Sequence, residues 1–499
     1  MNRFLPQTEN RYIRWALCGL LALIFLQLVA TVGAYIVNPH FSEFREGHTF
    51  SSTYLLLKGV RPFTLETYPE YYNSYGILFN LVAAPFALLF GNTLILHRIL
   101  NEVFFTGALA FLALYRRSWR FTFTHLIILV AAWGLLNYGT NNSVRPDGLG
   151  VFLYTVCIFL PLRRGFDVPG MLIAMGCALL AFYTKVYFVG CWYLLSVALL
   201  VTNWKKCLLY NLVFHALLAL SCVVVTRVFP LYFYETVFAY STSAGNNGSG
   251  MGNALLYSAK QFGRFFLGVL PFLLLAFVPF RKDFFREQRL TFLMLIPCAL
   301  VLFYPLGAND GAFVTYHTHL MLPLLVPLAL AGVRKESPHH LLLVAAMLCI
   351  IFQNHALRFT HNIPQCSPDA AKWEKIENEV ANARHVLNSD CISYLLMRQD
   401  KPLVTDGVSD FVFGYRPSPV TQALFGRDEQ LAEKKEQYAD RIRTGIREKQ
   451  FDLIILSNLD SVLRHFPDAD MSGYRLIETI DIKQRSLPHL QFSVYKPIE

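Results

Sequence analysis

Charged residues are scarce in this chain of 499: they make up 16%, against about 25% in an ordinary soluble domain. That scarcity excludes a wholly water-soluble protein. Acids are scarcer than bases, 34 against 44, but the excess lysine and arginine form no continuous basic face. A nucleic-acid partner is therefore a poor reading. No cleavable leader is evident. The first apolar run, 15–37, is longer than a signal-peptide core and lacks a small-residue cleavage site, so it is expected to remain as a membrane span. Cysteine is rare in polar surroundings. Eight of the ten lie in or beside apolar runs, where they are small packing residues, and only Cys366 and Cys391 lie in the C-terminal stretch.

What the chain has in abundance is long hydrophobic runs, with 54% hydrophobic residues overall. They fill residues 1–356 and give way to ordinary charged composition over 357–499. The runs are too long and too uniformly apolar for barrel strands, so the membrane part is expected to be all-α. At about 20 apolar residues per crossing, the expected spans are 15–37, 99–115, 121–140, 148–162, 168–183, 186–202, 207–229, 262–280, 290–306, 317–333 and 340–356. The run 76–96, with Pro85 in its middle, breaks the alternation of loop charge. It is expected to be a re-entrant or juxtamembrane helix that dips in without crossing.

Loop charge gives the sidedness. Arg3, Arg11 and Arg14, Arg116, Arg117 and Arg120, Arg163 and Arg164, Lys205 and Lys206, Arg281, Lys282, Arg286 and Arg289, and Arg334 and Lys335 fall on one side, which is expected to be cytoplasmic. Eleven crossings then place the C-terminal domain outside. That domain has a helical pattern over 369–388, a charged helix over 427–449 and strand patterns at 451–456, 476–482 and 490–495. It reads as a small extracytoplasmic α/β domain. Cys366 and Cys391 share this oxidising side, and a disulfide between them is expected. The outer segment 241–253, rich in Ser, Gly and Asn, reads as a mobile loop able to close over a site.

Candidate chemistry gathers on the outer side. The loop 38–75 carries Glu43, Glu46, Arg61 and Tyr75 among many aromatic residues, far more than a simple connection needs. As a solvated loop with tyrosines at the lipid interface it would explain the aromatics but not the carboxylates. Arg145-Pro146-Asp147 opens another span. Asp147 there is either a helix-start acid favoured by the dipole or a functional one. Lys185 is either a snorkelling boundary lysine or a cation for phosphate. His317 and His319 are spaced i, i+2, not the i, i+4 of a helix-face metal site.

Taken together, Glu46-Gly47, the run Leu57-Lys58-Gly59-Val60-Arg61-Pro62-Phe63, Tyr75-Gly76-Ile77-Leu78, Pro85, Phe90-Gly91 and Arg98 resemble the first outer loop of the GT-C glycosyltransferases. These enzymes use polyprenol-phosphate sugars and include protein O-mannosyltransferases and lipid A aminoarabinose transferases. Arg145-Pro146-Asp147, Tyr183-Thr184-Lys185 and Tyr316 through Pro323 resemble later motifs of the same family, in order and on the same side.

The resemblance implies a bacterial inner-membrane enzyme that moves a sugar from a polyprenyl-phosphate donor to a hydroxyl on a cell-envelope glycan, lipid or protein. Glu46 is then the catalytic base, with Glu43 its substitute because Arg45 stands where many members have a second acid. Asp147 orients a donor hydroxyl or helps hold a divalent metal ion. The anionic leaving group needs cations, here Lys185, Arg98, Arg61 and Arg145, while Tyr75, His317 and His319 face acceptor or lid. One base without a nucleophile implies single displacement with inversion. A transporter or flippase of lipid-linked sugars is the alternative. It would bury ionisable groups deep in its spans, which apart from His215 are nearly free of them. In a background without native cysteines, Ser118→Cys should react with an impermeant thiol reagent only from the cytoplasmic side. Labelling from outside would mean that 76–96 crosses.

Overall fold

A computed structural model describes residues 7–41, 46–115, 123–137, 143–238, 251–277, 282–303, 306, 314–333, 369–404, 423, 429–458, 469–482 and 490–498. The expected span 340–356, Glu43, Cys366 and most of 241–253 lie outside these residues. Within them the apolar runs are helices, which satisfy backbone polar groups without water. They are α1 (Gln7–Ile36), α2 (Glu46–Leu57), α3 (Leu78–Phe90), α4 (Leu94–Leu114), α5 (Phe123–Leu136), α6 (Asp147–Arg164), α7 (Val168–Phe182), α8 (Gly190–Thr202), α9 (Trp204–Val228), α10 (Met251–Phe277), α11 (Lys282–Phe303) and α12 (Val314–Gly332). Helices α10 and α11 begin well before the expected spans 262–280 and 290–306; the added stretch of α11 is strongly charged, and that of α10 mixes Leu255, Leu256 and Tyr257 with polar residues.

By length and composition, three described helices can cross a membrane: Trp15–Ile36, Leu94–Leu114 and Trp204–Val228. The run 76–96 is two helices, not one. Helix α3 has 13 residues and stops at Gly91, whose φ is +82°. Helix α4 restarts behind Thr93, whose hydroxyl accepts from the Leu96 N–H at 3.2 Å. At 1.5 Å per residue α3 reaches about 20 Å, short of a hydrocarbon core of roughly 30 Å.

The core of the bundle is α12. Leu322, Leu324, Leu325, Val326, Leu328 and Leu330 are all buried, so this helix is apolar all round and enclosed by its neighbours. Helix α9 is the opposite case. Its Leu208, Leu212, Leu220 and Val224 are exposed, which suits a surface that meets lipid.

The C-terminal domain contains α13 (Ala370–Asn382), α14 (Ser393–Arg398), α15 (Glu429–Arg447) and a four-stranded sheet of β1 (Val386–Asn388), β2 (Leu453–Ser457), β3 (Tyr474–Ile482) and β4 (Leu490–Pro497). The strand order is β1-β2-β4-β3. Strands β1 and β2 run parallel, with Leu387 opposite Ile454, and the other pairs are antiparallel. The expected helix 369–388 ends six residues early, because 386–388 is the edge strand β1. Lys401 turns its ammonium onto the carbonyls of Val380, Ala381 and Ala383 and so terminates α13.

The domain is not a pendant. Phe41, Phe50, Leu94 and Val144 of the membrane part share one hydrophobic cluster with Trp373, Ile376, Tyr394 and Leu395. The His40 ring stacks on Trp373 at 4.9 Å between centroids, and its Nδ1 lies 3.2 Å from the Tyr394 hydroxyl. Tyr54 and Lys58 bind Asp400 at 2.6 and 2.9 Å, and Arg441 pairs with Glu70. The outer segment 38–75 therefore lies between the helix bundle and the C-terminal domain.

Burial, then the charges of Arg398 and Arg98, lowers the His40 pKa from 6.5 to about 4. Neutral His40 thus contributes to stability above its ordinary value, and the contribution is lost as pH falls toward 4. The melting temperature in detergent should fall between pH 6.5 and 4, and less steeply in His40→Gln than in the wild type.

Candidate active site

Two buried charge pairs organise the outer ends of the helices. The first joins Arg98, in the second turn of α4, to Glu46, the first residue of α2. Arg98 Nε and Nη2 donate to Glu46 Oε1 and Oε2 at 2.9 and 2.7 Å. The remaining guanidinium hydrogens go to the carbonyls of Tyr35, Asn38 and His40 at 3.2, 2.5 and 2.9 Å. All five donors of the fork are thereby used. Glu46 Oε1 also accepts from the Val144 N–H at 3.0 Å, which ties the 143–146 turn to α2.

That turn delivers Asp147. The Gly148 N–H donates to Asn101 Oδ1 at 2.6 Å, and a Cβ at Gly148 would lie 2.1 Å from the Asn101 carbonyl oxygen. Only glycine lets α6 start this close to α4. The second pair follows: Lys185 Nζ lies 2.5 Å from Asp147 Oδ1, with both groups largely buried. Tyr187 donates to the same oxygen at 3.4 Å, and His319 Nδ1 lies 3.8 Å from it. Asp147 Oδ2 is buried without a hydrogen-bond partner among the described residues.

Lys185 is placed by a backbone splice. The N–H groups of Gly76 and Leu78 donate to the carbonyls of Thr184 and Tyr183 at 2.9 and 3.0 Å. A Cβ at Gly76 would come within 2.0 Å of the Tyr183 oxygen, so this approach also demands glycine. The splice lays the Tyr75 ring 4.5 Å from the Lys185 ammonium and 5.8 Å from the Arg145 guanidinium. Tyr187 flanks the ammonium at 6.0 Å. The 73–80 segment is fixed to the polar face of α2: Asn73 donates to Ser52 Oγ at 2.8 Å and Asn80 to Thr53 Oγ1 at 2.9 Å.

Asp147, Lys185, Arg145, Tyr75 and His319 therefore meet in one cluster, with Glu46 fastened to the turn that carries Asp147. Three expected site residues do not join it. Arg98 has no donor left for a phosphate, since Glu46 and three carbonyls take them all. Arg61 is exposed on the loop after α2. His317 is packed between Phe262 and Phe265 of α10, because the i, i+2 spacing turns it away from His319. Glu43 lies outside the described residues. Cys391 is buried in the C-terminal domain, while its expected partner Cys366 is not described. No cluster of three metal-binding side chains occurs among the described residues.

Three residues in or near the site escaped the sequence reading, two of them touching its segments and the third, Glu102, buried one turn along α4 from Arg98. Tyr187 stands two residues after Lys185 and looked like one more interfacial aromatic. Glu235, alone in the aromatic run 231–238, accepts from the Asn73 N–H at 2.9 Å. Burial pushes its pKa up to about 8 against that hydrogen bond, so it is mostly protonated at neutral pH. An unpaired acid among aromatic residues was the available signal. Glu102 lies within the expected span 99–115, so His215 is not the sole ionisable group of the spans. It is held by Trp133 of α5, with Asn137 at 3.4 Å and Thr106 at 3.3 Å.

No protein-family model and no curated protein matches the sequence. Solved structures do match. ArnT from Cupriavidus metallidurans bound to undecaprenyl phosphate superposes with a TM-score of 0.58 at 12% identity, covering 95% of this chain and 97% of that one. Its apo form gives a TM-score of 0.60 over the same shares of the two chains. This chain has the ArnT fold. The likeness spans the helix bundle and the C-terminal domain alike, and it agrees with the GT-C resemblance read from the short motifs.

Substituting either member of the Arg98–Glu46 pair strands a buried charge, which costs about 3–5 kcal/mol. Glu46→Gln should therefore lower the denaturation midpoint in detergent strongly, and Arg98→Met more so because three carbonyls lose their donor as well. A Glu46→Gln protein of wild-type stability but without activity would instead give Glu46 the catalytic role.

Proposed function

We propose that this chain is an integral membrane glycosyltransferase that moves a sugar from a polyprenyl-phosphate donor to a hydroxyl acceptor on the extracytoplasmic face, with inversion. The observation that carries the reading is the buried Lys185–Asp147 pair with its orphan carboxylate oxygen. It sits among tyrosines in a fold shared with a protein that binds undecaprenyl phosphate. On this reading the protein lies in the inner membrane with eleven crossings, its N-terminus in the cytoplasm and the 357–499 domain outside. The acceptor is a cell-envelope glycan, lipid or protein.

The roles follow from the geometry of the two charge pairs. Lys185 holds the donor phosphate, backed by Arg145. In the transition state the departing phosphate gains negative charge, so a fixed cation stabilises it more than it stabilises the bound donor. Asp147 accepts the acceptor's proton, because its Oδ2 is unengaged while both oxygens of Glu46 are held by Arg98. Tyr187 and His319 orient Asp147. Glu46 is a positioning residue, acting through the Val144 N–H on the turn that carries Asp147. The ordinary charge of the 369–498 surface suits water, and the segment 241–253 would cover the bound donor and keep water from hydrolysing it. A disulfide between Cys366 and Cys391 would tie the start of the outer domain to α14.

Removing a general base costs about 10²–10⁴-fold in rate. Asp147→Asn should lose that much transfer while remaining folded, and Lys185→Ala should weaken donor binding. Mass spectrometry of envelope glycans from a deletion strain, complemented with each variant, reads the effect and identifies the sugar and its acceptor. Full complementation by Asp147→Asn together with failure of Glu43→Gln would move the base to Glu43. An unchanged glycan profile in the deletion strain would remove the enzyme reading.

A further inference from the structure

We propose that Lys185 and Asp147 form a latch that the donor phosphate opens, so that the base is exposed only when donor is in place. The inference rests on the reading above and adds the order of events at that site. In the structure described here the two groups neutralise each other. An ammonium 2.5 Å from a carboxylate is a poor phosphate ligand, and the carboxylate is a poor base. The donor phosphate is an anion that competes directly with Asp147 for the ammonium, and its claim grows as the departing phosphate gains a second negative charge.

The surroundings let the pair separate without stranding either charge. Lys185 lies against the faces of Tyr75 and Tyr187, and cation–π attraction stays with the ammonium when its counter-ion changes. Asp147 keeps Tyr187 at 3.4 Å and His319 at 3.8 Å. Both contacts are long, with room to shorten once Lys185 turns away. It also sits in the first turn of α6, where the helix dipole favours its charge. Asp147 Oδ2, buried and without a hydrogen-bond partner among the described residues, is the oxygen left for an acceptor hydroxyl. A buried acceptor without a donor costs about 1–3 kcal/mol, a cost relieved only when an O–H donor arrives.

The step then balances. Asp147 takes the acceptor proton as the acceptor oxygen bonds to the anomeric carbon. The bond from that carbon to the phosphate oxygen breaks, and its electron pair leaves with the polyprenyl phosphate. The leaving phosphate carries one more negative charge than it did in the donor and remains on Lys185. Release of the lipid phosphate lets Asp147 give up its proton and pair again with Lys185.

The test uses undecaprenyl phosphate without sugar, titrated onto the purified full chain in nanodiscs and read by native mass spectrometry. Removing the competing carboxylate should tighten binding, so Asp147→Asn should bind on the order of tenfold more tightly than wild type, the scale on which one adjacent charge shifts an equilibrium. The gain should vanish in Asp147→Asn/Lys185→Met, which should bind as weakly as Lys185→Met alone. Asp147→Ser, smaller and neutral, serves if the Asn variant does not accumulate. Equal or weaker binding by folded Asp147→Asn and Asp147→Ser overturns the latch, and so does a gain that survives loss of Lys185. Absence of binding by every form, wild type included, counts against the donor reading itself.

Discussion

The guanidinium of Arg98 is buried where α1 ends, α2 begins and the 143–146 turn passes, and its rigid fork dictates how those pieces meet. A cation stripped of water is tolerable only with full compensation. Glu46 supplies the charge, and the carbonyls of 35, 38 and 40 supply the other acceptors. Because the carboxylate also holds the Val144 N–H, the position of Asp147 is inherited from this pair. The cluster around Asp147 is thus placed by a charge pair that lies beside it.

Around that anchor, precision comes from close backbone approach. Gly148 against Asn101 and Gly76 against Tyr183 let main chain touch main chain, and the loops that carry Asp147, Tyr75 and Lys185 are joined to helices by hydrogen bonds to backbone N–H groups. Polar side chains of α2 then fasten the 73–80 segment. Such a site sits on rigid elements in spite of its loop residues, which is what a fixed charge array requires.

Much of this was legible in the sequence. Long apolar runs marked the helices, and the strand patterns after residue 450 marked the small C-terminal sheet. Asp147, Lys185 and Tyr75 stood out because each is a polar or aromatic interruption at the end of an apolar run. What could not be read was partnership. Arg98 and Lys185 are both cations next to apolar runs, and nothing local tells that one meets Glu46 and the other Asp147, since that depends on which carboxylate folds against which. Strand β1 was hidden because three residues carry too little pattern to separate from the helix before them. Glu102 was overlooked because an acid near the end of a span looks like its boundary. Its partner Trp133 comes from another helix.

The sandwiching of 38–75 between bundle and C-terminal domain bears on how such proteins can diverge. Phe41 and Phe50 belong to the hydrophobic interior of a domain whose own sequence starts more than 300 residues later. The unit of exchange is therefore not the stretch after residue 357. A tail from a protein of the same fold would bring its own Trp373-like face to a loop shaped for another, and the mismatch would be felt at Val144, three residues before Asp147. Tail and the 38–75 loop have to change together, so variation in the C-terminal domain is constrained by residues near the start of the chain.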